Sequence, residues 1–345
     1  MKNLIDIKEV DINFYESFFK DFLPNQIIDV HTHVFLREHR ERTKDSRLVQ
    51  WTSCVAQDNP YEDLHETYRL MFPGKRVMPV IFASPSNLKD IHLANEYVRN
   101  CCEKDLDCFG LFLSKPEWEA DFFEKKIIEG KYKGAKVYLN FAPSSIAKNN
   151  ICIFDFLPHH QLCILNKHQM IVMLHIPRDN RLKDPVNLQQ IIEIEKKYPD
   201  IKLIIAHVGR AYCKEDVGNA FEVLEETKNV LFDFSANTNQ WVFEQLIKAV
   251  GPKRILFGSD LPITRMRMKR ICENGNYINV VPKGLYGDVS GDIHMREVEG
   301  AESELLTFFL YEEIDAFRKA AKSTKLKDAD IEDIFFYNAK RILDF

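Results

Sequence analysis

Residues 26–33 read QIIDVHTH, a short apolar run that ends in two histidines. His31 and His33 are two positions apart, and alternate side chains of a β-strand share a face, so both imidazoles should project the same way from a strand end. Imidazole is a common ligand for zinc and other first-row divalent ions. Alone, such a pair is more often a surface or packed feature, so the rest of the chain must decide its meaning.

Seven more apolar runs of similar length follow, separated by longer amphipathic stretches. They are RVMPVIFAS (76–84), CFGLFLS (108–114), GAKVYLN (134–140), MIVMLHI (170–176), KLIIAHV (202–208), NVLFDFSA (229–236) and RILFGSD (254–260). Between them lie helical patterns such as VNLQQIIEIEKKYP (186–199) and WVFEQLIKAVG (241–251). Eight strands alternating with helices predict an α/β fold, a (β/α)₈ TIM barrel, although doubly wound sheets contain similar runs.

The chain has 345 residues, which exceeds the roughly 250 of a typical TIM barrel. The excess consists of a helical lead before residue 26, an insertion at residues 34–75 and a long tail after Asp260. Within the tail, residues 275–294 are rich in glycine and turn residues, and we expect an ordered loop or lid there. We expect one domain, residues 1–345, with its core from about residue 26.

Composition narrows the choice of partners. The formal net charge of −5 argues against nucleic acid or a membrane surface, because both attract basic faces. No apolar stretch approaches the roughly 20 residues of a membrane helix, and the N-terminus lacks the features of a secretory signal. The eight cysteines form no CxxC pair or regular framework. We therefore expect a soluble, cytoplasmic protein with reduced thiols that acts on a small molecule.

Three more ionisable residues end apolar runs. His175 follows MIVML, His207 follows LIIA, and Asp260 follows ILFGS. Each one singly is typical of a hydrogen-bonded histidine or a helix cap. Five such groups at the ends of four strands are harder to explain as structural residues, because the carboxyl ends of barrel strands meet at one mouth. The set indicates a metal site.

The ordered motifs IDVHTH (28–33), LHI (174–176), AHVGR (206–210), FGSDLP (257–262) and YNAKRIL (337–343) resemble the amidohydrolase superfamily. Within that superfamily the chain resembles the amidohydrolase-2 branch, whose members are like aminocarboxymuconate-semialdehyde decarboxylase. This branch contains decarboxylases and small-ring hydrolases. The resemblance covers residues 26–345. It is specific in its ordered ligands but not in substrate.

The resemblance implies that one divalent ion is held by His31, His33, His175 and Asp260, with His207 beside it. Zinc is the first choice for this ion and manganese the alternative, because mixed nitrogen and oxygen ligands discriminate weakly between them. Asp260 would then accept a proton from water, and His207 would stabilise negative charge or aid proton transfer.

Two further polar residues lie within the predicted strands. Asp29 shares the parity of the strand-one histidines, so it could orient one of them or be an ordinary polar residue lower in the barrel. Lys136 resembles the strand-four lysine that some superfamily members carbamylate to bridge two metals. It lies two positions before Tyr138, so we expect it to be too deep for that, and to pair with an acid or contact substrate. One metal is therefore expected.

Cations follow the ligand strands. Arg178 and Arg210 each lie three residues after a strand-end histidine, and TRMRMKR (264–270) follows Asp260. Arginines at the mouth favour an anionic substrate, and we expect Arg178, Arg210 and Lys136 to contact it. The basic run 264–270 could serve the substrate or be a solvated helix face.

These observations predict a metal-dependent hydrolase that cleaves a C–N, ester or lactone bond of a small anionic metabolite with a metal-activated water. A non-oxidative decarboxylase, a carboxy-lyase on the same scaffold, is the alternative. A non-catalytic barrel that binds a metal or ligand is a third possibility. Barrels of this type often form homodimers, which is an expectation from resemblance alone.

Overall fold

All eight predicted runs form strands in the computed structural model, which describes residues 4–41, 51–86 and 88–344. The strands are β1 Gln26–His33, β2 Arg76–Phe82, β3 Phe109–Leu113, β4 Gly134–Val137, β5 Ile171–Leu174, β6 Lys202–Ile205, β7 Leu231–Asp233 and β8 Ile255–Leu256. Most end earlier than their apolar runs. His175, His207 and Asp260 therefore lie in the loops just beyond the strands.

The strands pair in parallel, in sequence order from β1 to β8. The last strand returns to the first: the backbone N–H of Val30 donates to the carbonyl of Phe257 at 3.0 Å, and Thr32 forms a parallel bridge with Leu261. This closure confirms the predicted (β/α)₈ barrel.

A helix follows each strand, and the first seven of these helices return the chain to the start of the next strand. These helices are Tyr61–Met71, Ile91–Lys104, Ala120–Glu129, His159–Lys167, Pro185–Lys197, Ala220–Glu225, Gln240–Val250 and Phe309–Ser323. Other helical segments are Glu9–Phe18 before the barrel, Trp51–Val55 in the first insertion, and Gly300–Glu304, Asp328–Glu332, the π-turn Asp333–Tyr337 and Asn338–Leu343 in the tail. The predicted helices at 186–199 and 241–251 are confirmed, with ends shifted by one or two residues.

Successive side chains of each strand point to opposite faces of the sheet, and this divides the core into two layers. On β4, Ala135 and Val137 belong to the cluster between the strands and the outer helices. Inside the barrel, a second cluster takes alternate residues from the strands, such as Ile171 and Met173 of β5. This two-sided burial explains why the strands are continuous apolar runs.

The C-terminal helix Asn338–Leu343 closes the amino end of the barrel. Its Ala339 and Ile342 belong to the interior cluster. The Asn338 amide donates to the carbonyls of Pro252 and Ile255 at 2.8 and 2.9 Å. The C-terminal helix thus fills the amino end of the barrel, and the carboxyl end remains open for the site.

The predicted loop or lid at 275–294 contains one strand and is flanked by two more, so the expectation of an ordered loop was incomplete. The strands β9 Lys269–Glu273, β10 Asn276–Pro282 and β11 Met295–Val298 form a separate sheet, here named the flap (residues 269–298). Asn274 and Gly275 join β9 to antiparallel β10 with φ of 52° and 75°, the conformation of a type I′ hairpin turn. The flap packs on Ala236, in the loop after β7.

A disulfide joins the flap to the loop after β6, which corrects the expectation of uniformly reduced thiols. Cys213 and Cys272 are bonded, with Cα atoms 5.9 Å apart, and the two residues are 59 positions apart in sequence. The pairing depends on how the flap folds back, and spacing alone gave no sign of it. The other six cysteines are free.

The first insertion packs against the barrel. Tyr61 and Tyr68 of its longer helix are buried in the outer core, while residues 42–50 lie outside the described residues. Among the helices that the structure describes, none is long and apolar enough to cross a membrane.

Candidate metal centre

The first two histidines stand at an irregularity in β1. A bulge between Asp29 and Thr32 shifts the register with β2, and bulges re-aim side chains. Beyond it, the ring of His31 lies 5.1 Å from Phe82 and 4.7 Å from the ring of His207, measured between centroids. On β8's extension, a Cβ at Gly258 would lie 2.7 Å from the Cβ of His31. Glycine is needed there for the close approach.

Asp29 lies behind this strand end and is fully buried. Its carboxylate accepts from the backbone N–H of His31 at 3.1 Å and of Ser259 at 2.8 Å, and from the Tyr68 hydroxyl at 2.9 Å. Burial raises the pKa of Asp29 to about 7, against the opposing effect of these hydrogen bonds. Asp29 thus supports the backbone of His31 and not an imidazole ring.

Three side chains offer a set of metal-ligand atoms at the mouth of the barrel. Ligand atoms of His31, His207 and Asp260 all lie within 4.8 Å of one another. His31 and His207 are buried, and the Asp260 side chain is 16% exposed. Two nitrogens and one oxygen suit zinc or another first-row ion, and the partial exposure leaves room for water or substrate.

Asp233, the last residue of β7, and Ser235, just beyond it, were not predicted as site residues, and both contact this set from the buried side. Oδ2 of Asp233 lies 2.9 Å from Nδ1 of His31, and Oδ1 accepts from the backbone N–H of His207 at 2.9 Å. The Ser235 hydroxyl donates to Asp233 and lies 2.9 Å from Nδ1 of His207. A lone carboxylate in the apolar run NVLFDFSA was the available signal, since the same pattern identified Asp260.

The backbone at His207 is unusual. His207, Val208, Gly209 and Arg210 all have positive φ, between 49° and 60°. This left-handed conformation costs roughly 1–2 kcal/mol for each residue with a side chain. A Cβ at Gly209 would lie 2.6 Å from Leu182, so close packing also favours glycine there. The turn directs His207 towards His31, and the hydrogen bond from its N–H to Asp233 fixes where the turn begins.

Asp260 also has positive φ, 57°. Its N–H donates to the carbonyl of His31 at 2.8 Å, which fixes the carboxylate beside β1. Its Oδ1 lies 3.2 Å from Nε2 of His33 and 3.6 Å from Nε2 of His31. Asp260 is thus the residue that both strand-one histidines approach.

His33 and His175 surround the three-residue set without joining it. His33 bonds to Asp260, and the His175 ring lies 5.4 Å from that of His207, between centroids. Nδ1 of each is buried without a hydrogen-bond partner among the described residues. All five predicted groups thus lie at one mouth of the barrel, and His207 lies beside His31.

Burial sets the protonation states here. It lowers the pKa of His31, His33 and His175, and that of His207 to about 4, so the imidazoles are neutral. For Asp260, burial alone raises the pKa, but the hydrogen bond from His33 and the nearby histidines outweigh it and hold the pKa well below its usual range. Neutral imidazoles beside ionised carboxylates are the forms that bind divalent ions.

A family model described as Amidohydrolase matches residues 28–345. The chain belongs to the amidohydrolase family. The resemblance found in its motifs is confirmed, and the chain is an enzyme of this family, whose members depend on metal ions. The residues gathered at the mouth fit such an ion in number, chemistry and burial.

Solved structures of the amidohydrolase type share the fold at low identity. Amidohydrolase 2 from Bifidobacterium longum subsp. infantis is 14% identical, with a TM-score of 0.56, over 93% of this chain and 100% of that one. A probable 2-pyrone-4,6-dicarboxylic acid hydrolase from Acinetobacter baumannii, with citric acid bound, is 15% identical, with a TM-score of 0.57 and the same coverage. The 5-carboxyvanillate decarboxylase from Sphingomonas paucimobilis is 12% identical, again with this coverage, and has a TM-score of 0.52. Among curated proteins, none matches the sequence.

In this amidohydrolase-family barrel, Lys136 is fully buried and points inward, because its neighbours on β4 face the outer core. Its Nζ lies 4.8 Å from the ring centre of Tyr138 and 5.1 Å from that of Phe82. No described residue forms a hydrogen bond with it. Burial lowers the pKa of Lys136 to about 8, although Asp233 and Asp260 favour the charged form. The expected pairing with an acid is therefore not found within hydrogen-bonding distance.

The predicted substrate arginines differ in their surroundings. Arg178 forms an ion pair with Asp184 at 3.1 Å. Arg210 forms no ion pair or hydrogen bond through its side chain with any part of the chain that the structure describes, and its charge acts on His175 and Tyr212. Of the two, Arg210 has the guanidinium available to a ligand.

The basic run 264–270 is neither a solvated helix face nor a row of free cations. Arg265 is buried and donates to Asn59, and Arg267 is buried in an ion pair with Asp11. Arg270 lies within 4.7 Å of the ring centres of Tyr212 and Tyr277. These arginines fasten the tail to the barrel.

Proposed function

We propose that the chain is a metal-dependent hydrolase that cleaves a C–N, ester or lactone bond of a small anionic metabolite. The observation that carries the proposal is the gathering of His31, His207 and Asp260 within 4.8 Å at the mouth of an amidohydrolase-family barrel. A bound divalent ion supplies a nucleophilic water near neutral pH and polarises a carbonyl group. Zinc is the ion we expect first, with manganese as the alternative.

Asp260 is the proposed general base. Its carboxylate is ionised, is fixed through its own N–H, and is partly open to the mouth, so it can accept a proton from water and pass it to the leaving atom.

The neighbours of His207 favour a role as a metal ligand. Its Nδ1 lies 3.1 Å from the carbonyl oxygen of Ser235, which can only accept, so Nδ1 carries the hydrogen. The remaining lone pair on Nε2 can bind an ion or take a proton. This supports His207 as a ligand more than as a hydrogen-bond donor to an oxyanion.

The anionic character of the substrate is supported by two cations without partners. The Lys136 ammonium and the Arg210 guanidinium are both free of ion pairs with the described residues. A carboxylate or phosphate on the substrate would provide the missing acceptors. Arg178, held by Asp184, would reach a substrate only with its remaining N–H groups.

A carboxy-lyase is the second candidate. The fold is shared with the Sphingomonas decarboxylase, and the buried Lys136 amine faces the interior, where it could deliver a proton to carbon. In that reaction the C–C bond breaks, carbon dioxide leaves and the carbon takes a proton. Oxygen-18 from water in the product identifies the hydrolase, whereas release of carbon dioxide without that label identifies the lyase.

The first test is elemental analysis of protein purified without a chelator or a metal-affinity tag. We expect about one equivalent of zinc or manganese in the wild type and loss of it in the His31→Ala/His33→Ala double variant. No metal in the wild type, even after supplementation, would overturn the proposal. Two equivalents would point to Lys136 as a bridging ligand after all.

Single variants then decide the ligand set. Loss of metal in His207→Ala with retention in His175→Ala supports the set gathered within 4.8 Å. The reverse result supports His31, His33, His175 and Asp260. Action as one domain, cytoplasmic location and a homodimeric state stay predictions from sequence.

A further inference from the structure

Two buried residues at the carboxyl end of β7 and just beyond it make contacts that the proposed hydrolysis does not explain. Asp233 and Ser235 are both fully buried and lie behind the ligand set rather than at the open mouth. Neither offers an atom to the three-residue group. Yet both contact two of its three members.

The contacts of Asp233 fix the state of the His31 ring. Oδ1 of Asp233 accepts from the backbone N–H groups of His207 and Ser235, at 2.9 and 3.1 Å, and from the Ser235 hydroxyl. A carboxyl group surrounded by donors in this way acts as an acceptor. Nδ1 of His31, at 2.9 Å from Oδ2, must therefore carry the hydrogen, and the lone pair is left on Nε2. Nε2 is the nitrogen that faces Asp260.

The same carboxylate fixes the second histidine through the backbone. Its Oδ1 accepts from the N–H of His207, at the first residue of the left-handed turn. The Ser235 hydroxyl donates to Oδ1 and accepts from Nδ1 of His207 at 2.9 Å. The Ser235 carbonyl lies 3.1 Å from that nitrogen as well. Both imidazoles are thus left with hydrogen on Nδ1 and a lone pair on Nε2.

We infer that Asp233, with Ser235, is the positioning residue of the metal centre: it selects the Nε2-binding form of His31 and His207 before the ion arrives. The inference rests on the proposed function only for the identity of the ion. Carboxylates that accept from a ligating histidine change metal affinity by about 10- to 100-fold when removed. In this chain a single carboxylate, at the end of β7, contacts one proposed ligand of β1 and another in the loop after β6.

The test compares Asp233→Asn with wild type in two measurements. The first is the Zn²⁺ dissociation constant, by competition with a chromophoric chelator, and we expect it to rise about 10- to 100-fold. The second is the tautomer of His31 and His207 in metal-free protein, read from long-range ¹H–¹⁵N spectra. In wild type we expect both rings to carry hydrogen on Nδ1, and in Asp233→Asn we expect His31 to become a mixture.

Controls separate positioning from folding. Asp216→Asn removes another buried carboxylate, one that pairs with Arg181 away from the ligand set, and should leave zinc affinity and the tautomers unchanged. Ser235→Ala retains the carbonyl beside His207 and should weaken zinc binding less than Asp233→Asn does. It also provides a variant if Asp233→Asn does not fold.

The outcomes are distinct. Zinc affinity and His31 tautomer unchanged in a folded Asp233→Asn would overturn the inference and leave the proposed function intact. A wild type that binds neither zinc nor manganese would overturn the proposed function, and the tautomers of the metal-free protein would still decide whether Asp233 orders the two rings.

Discussion

Lys136 places a cation inside the barrel, and burying that charge lowers the stability of the fold. The ammonium is fully buried between two aromatic rings, without a hydrogen-bond partner among the described residues. Nothing in the packing requires it, because the equivalent inward residue on β5 is Met173. A buried cation that weakens the fold is a feature associated with function.

The sign of its effect on stability follows from the pKa of about 8 in the folded chain, against 10.5 unfolded. Below pH 8 both states are protonated and burial of the charge destabilises the fold by about 3 kcal/mol, whereas above pH 10.5 both are neutral and the cost vanishes. In metal-free protein, Lys136→Met should therefore be more stable than wild type at pH 7 by up to this amount. The advantage should shrink to about 1 kcal/mol at pH 10.

Denaturant unfolding at the two pH values measures this difference. Lys133→Met is the matched control, because Lys133 directly precedes the same strand and its amine donates to the carbonyl of Leu343 at 2.8 Å. It should not be stabilising at pH 7. Equal stabilities of wild type and Lys136→Met at both pH values would mean that the amine has an acceptor in solution.

Site residues were predictable where they interrupt a pattern. His175, His207 and Asp260 each end an apolar run, and this placed them at the barrel mouth. Asp233 interrupts an apolar run too, but two apolar residues surround it and no second motif pointed to it. Its partners, the ring of His31 and the backbone of His207, depend on the bulge in β1 and the left-handed turn. Neither irregularity has a residue pattern that single-sequence reasoning can detect.

At the scale of elements, strand existence was easier to predict than strand limits. All eight runs became strands, but β8 retains two paired residues, Ile255 and Leu256, of a seven-residue run. The carboxyl ends leave the ladder because their side chains and backbone turn to form the site. The flap strands were not predicted because the segments that join them are rich in glycine, as at Gly284, Gly287 and Gly291, and this composition is typical of a loop.

The disulfide should hold the flap against the loop after β6. Cys272 is on an exposed strand and Cys213 is buried, so Cys272→Ser removes the bond with little change to the core. We expect faster amide exchange in residues 269–298 and a loss of stability of up to about 4 kcal/mol, the chain-entropy value for a loop of this length. Hydrogen–deuterium exchange measured by mass spectrometry locates the change.

Dithiothreitol provides the comparison. It should produce the same change in wild type and none in Cys272→Ser. Exchange in the flap that is insensitive to both would show that the arginine and aromatic contacts around Arg270 suffice to hold it. The strands β1 to β6 serve as an internal reference, since their exchange should be unaffected.

For the whole molecule, the barrel depends on its last helix. Asn338 is fully buried and caps two carbonyls near the start of β8, and the residues after it fill the amino end. Asn338→Ala should lower the free energy of unfolding by about 2 kcal/mol, because two buried carbonyls lose their donor.

Urea unfolding followed by circular dichroism measures this loss. Arg341→Ala is the control on the same helix: its guanidinium donates to the carbonyl of Lys253 at an exposed position and to Oδ1 of Asn338. Its removal leaves both bonds from the Asn338 amide in place and should cost less than about 0.5 kcal/mol. Equal effects of the two substitutions would mean that the helix is not a fixed part of the barrel.

The disulfide also changes how the chain is connected. Residues 213 to 272 form a covalent ring that contains β7 and β8, and with them Asp233 and Asp260. A protease that cuts the ring once, anywhere along it, would yield two pieces that still migrate as a single species until a reductant separates them. The half of the chain that carries the strand-one histidines therefore stays linked to both site carboxylates even after the backbone between them is broken.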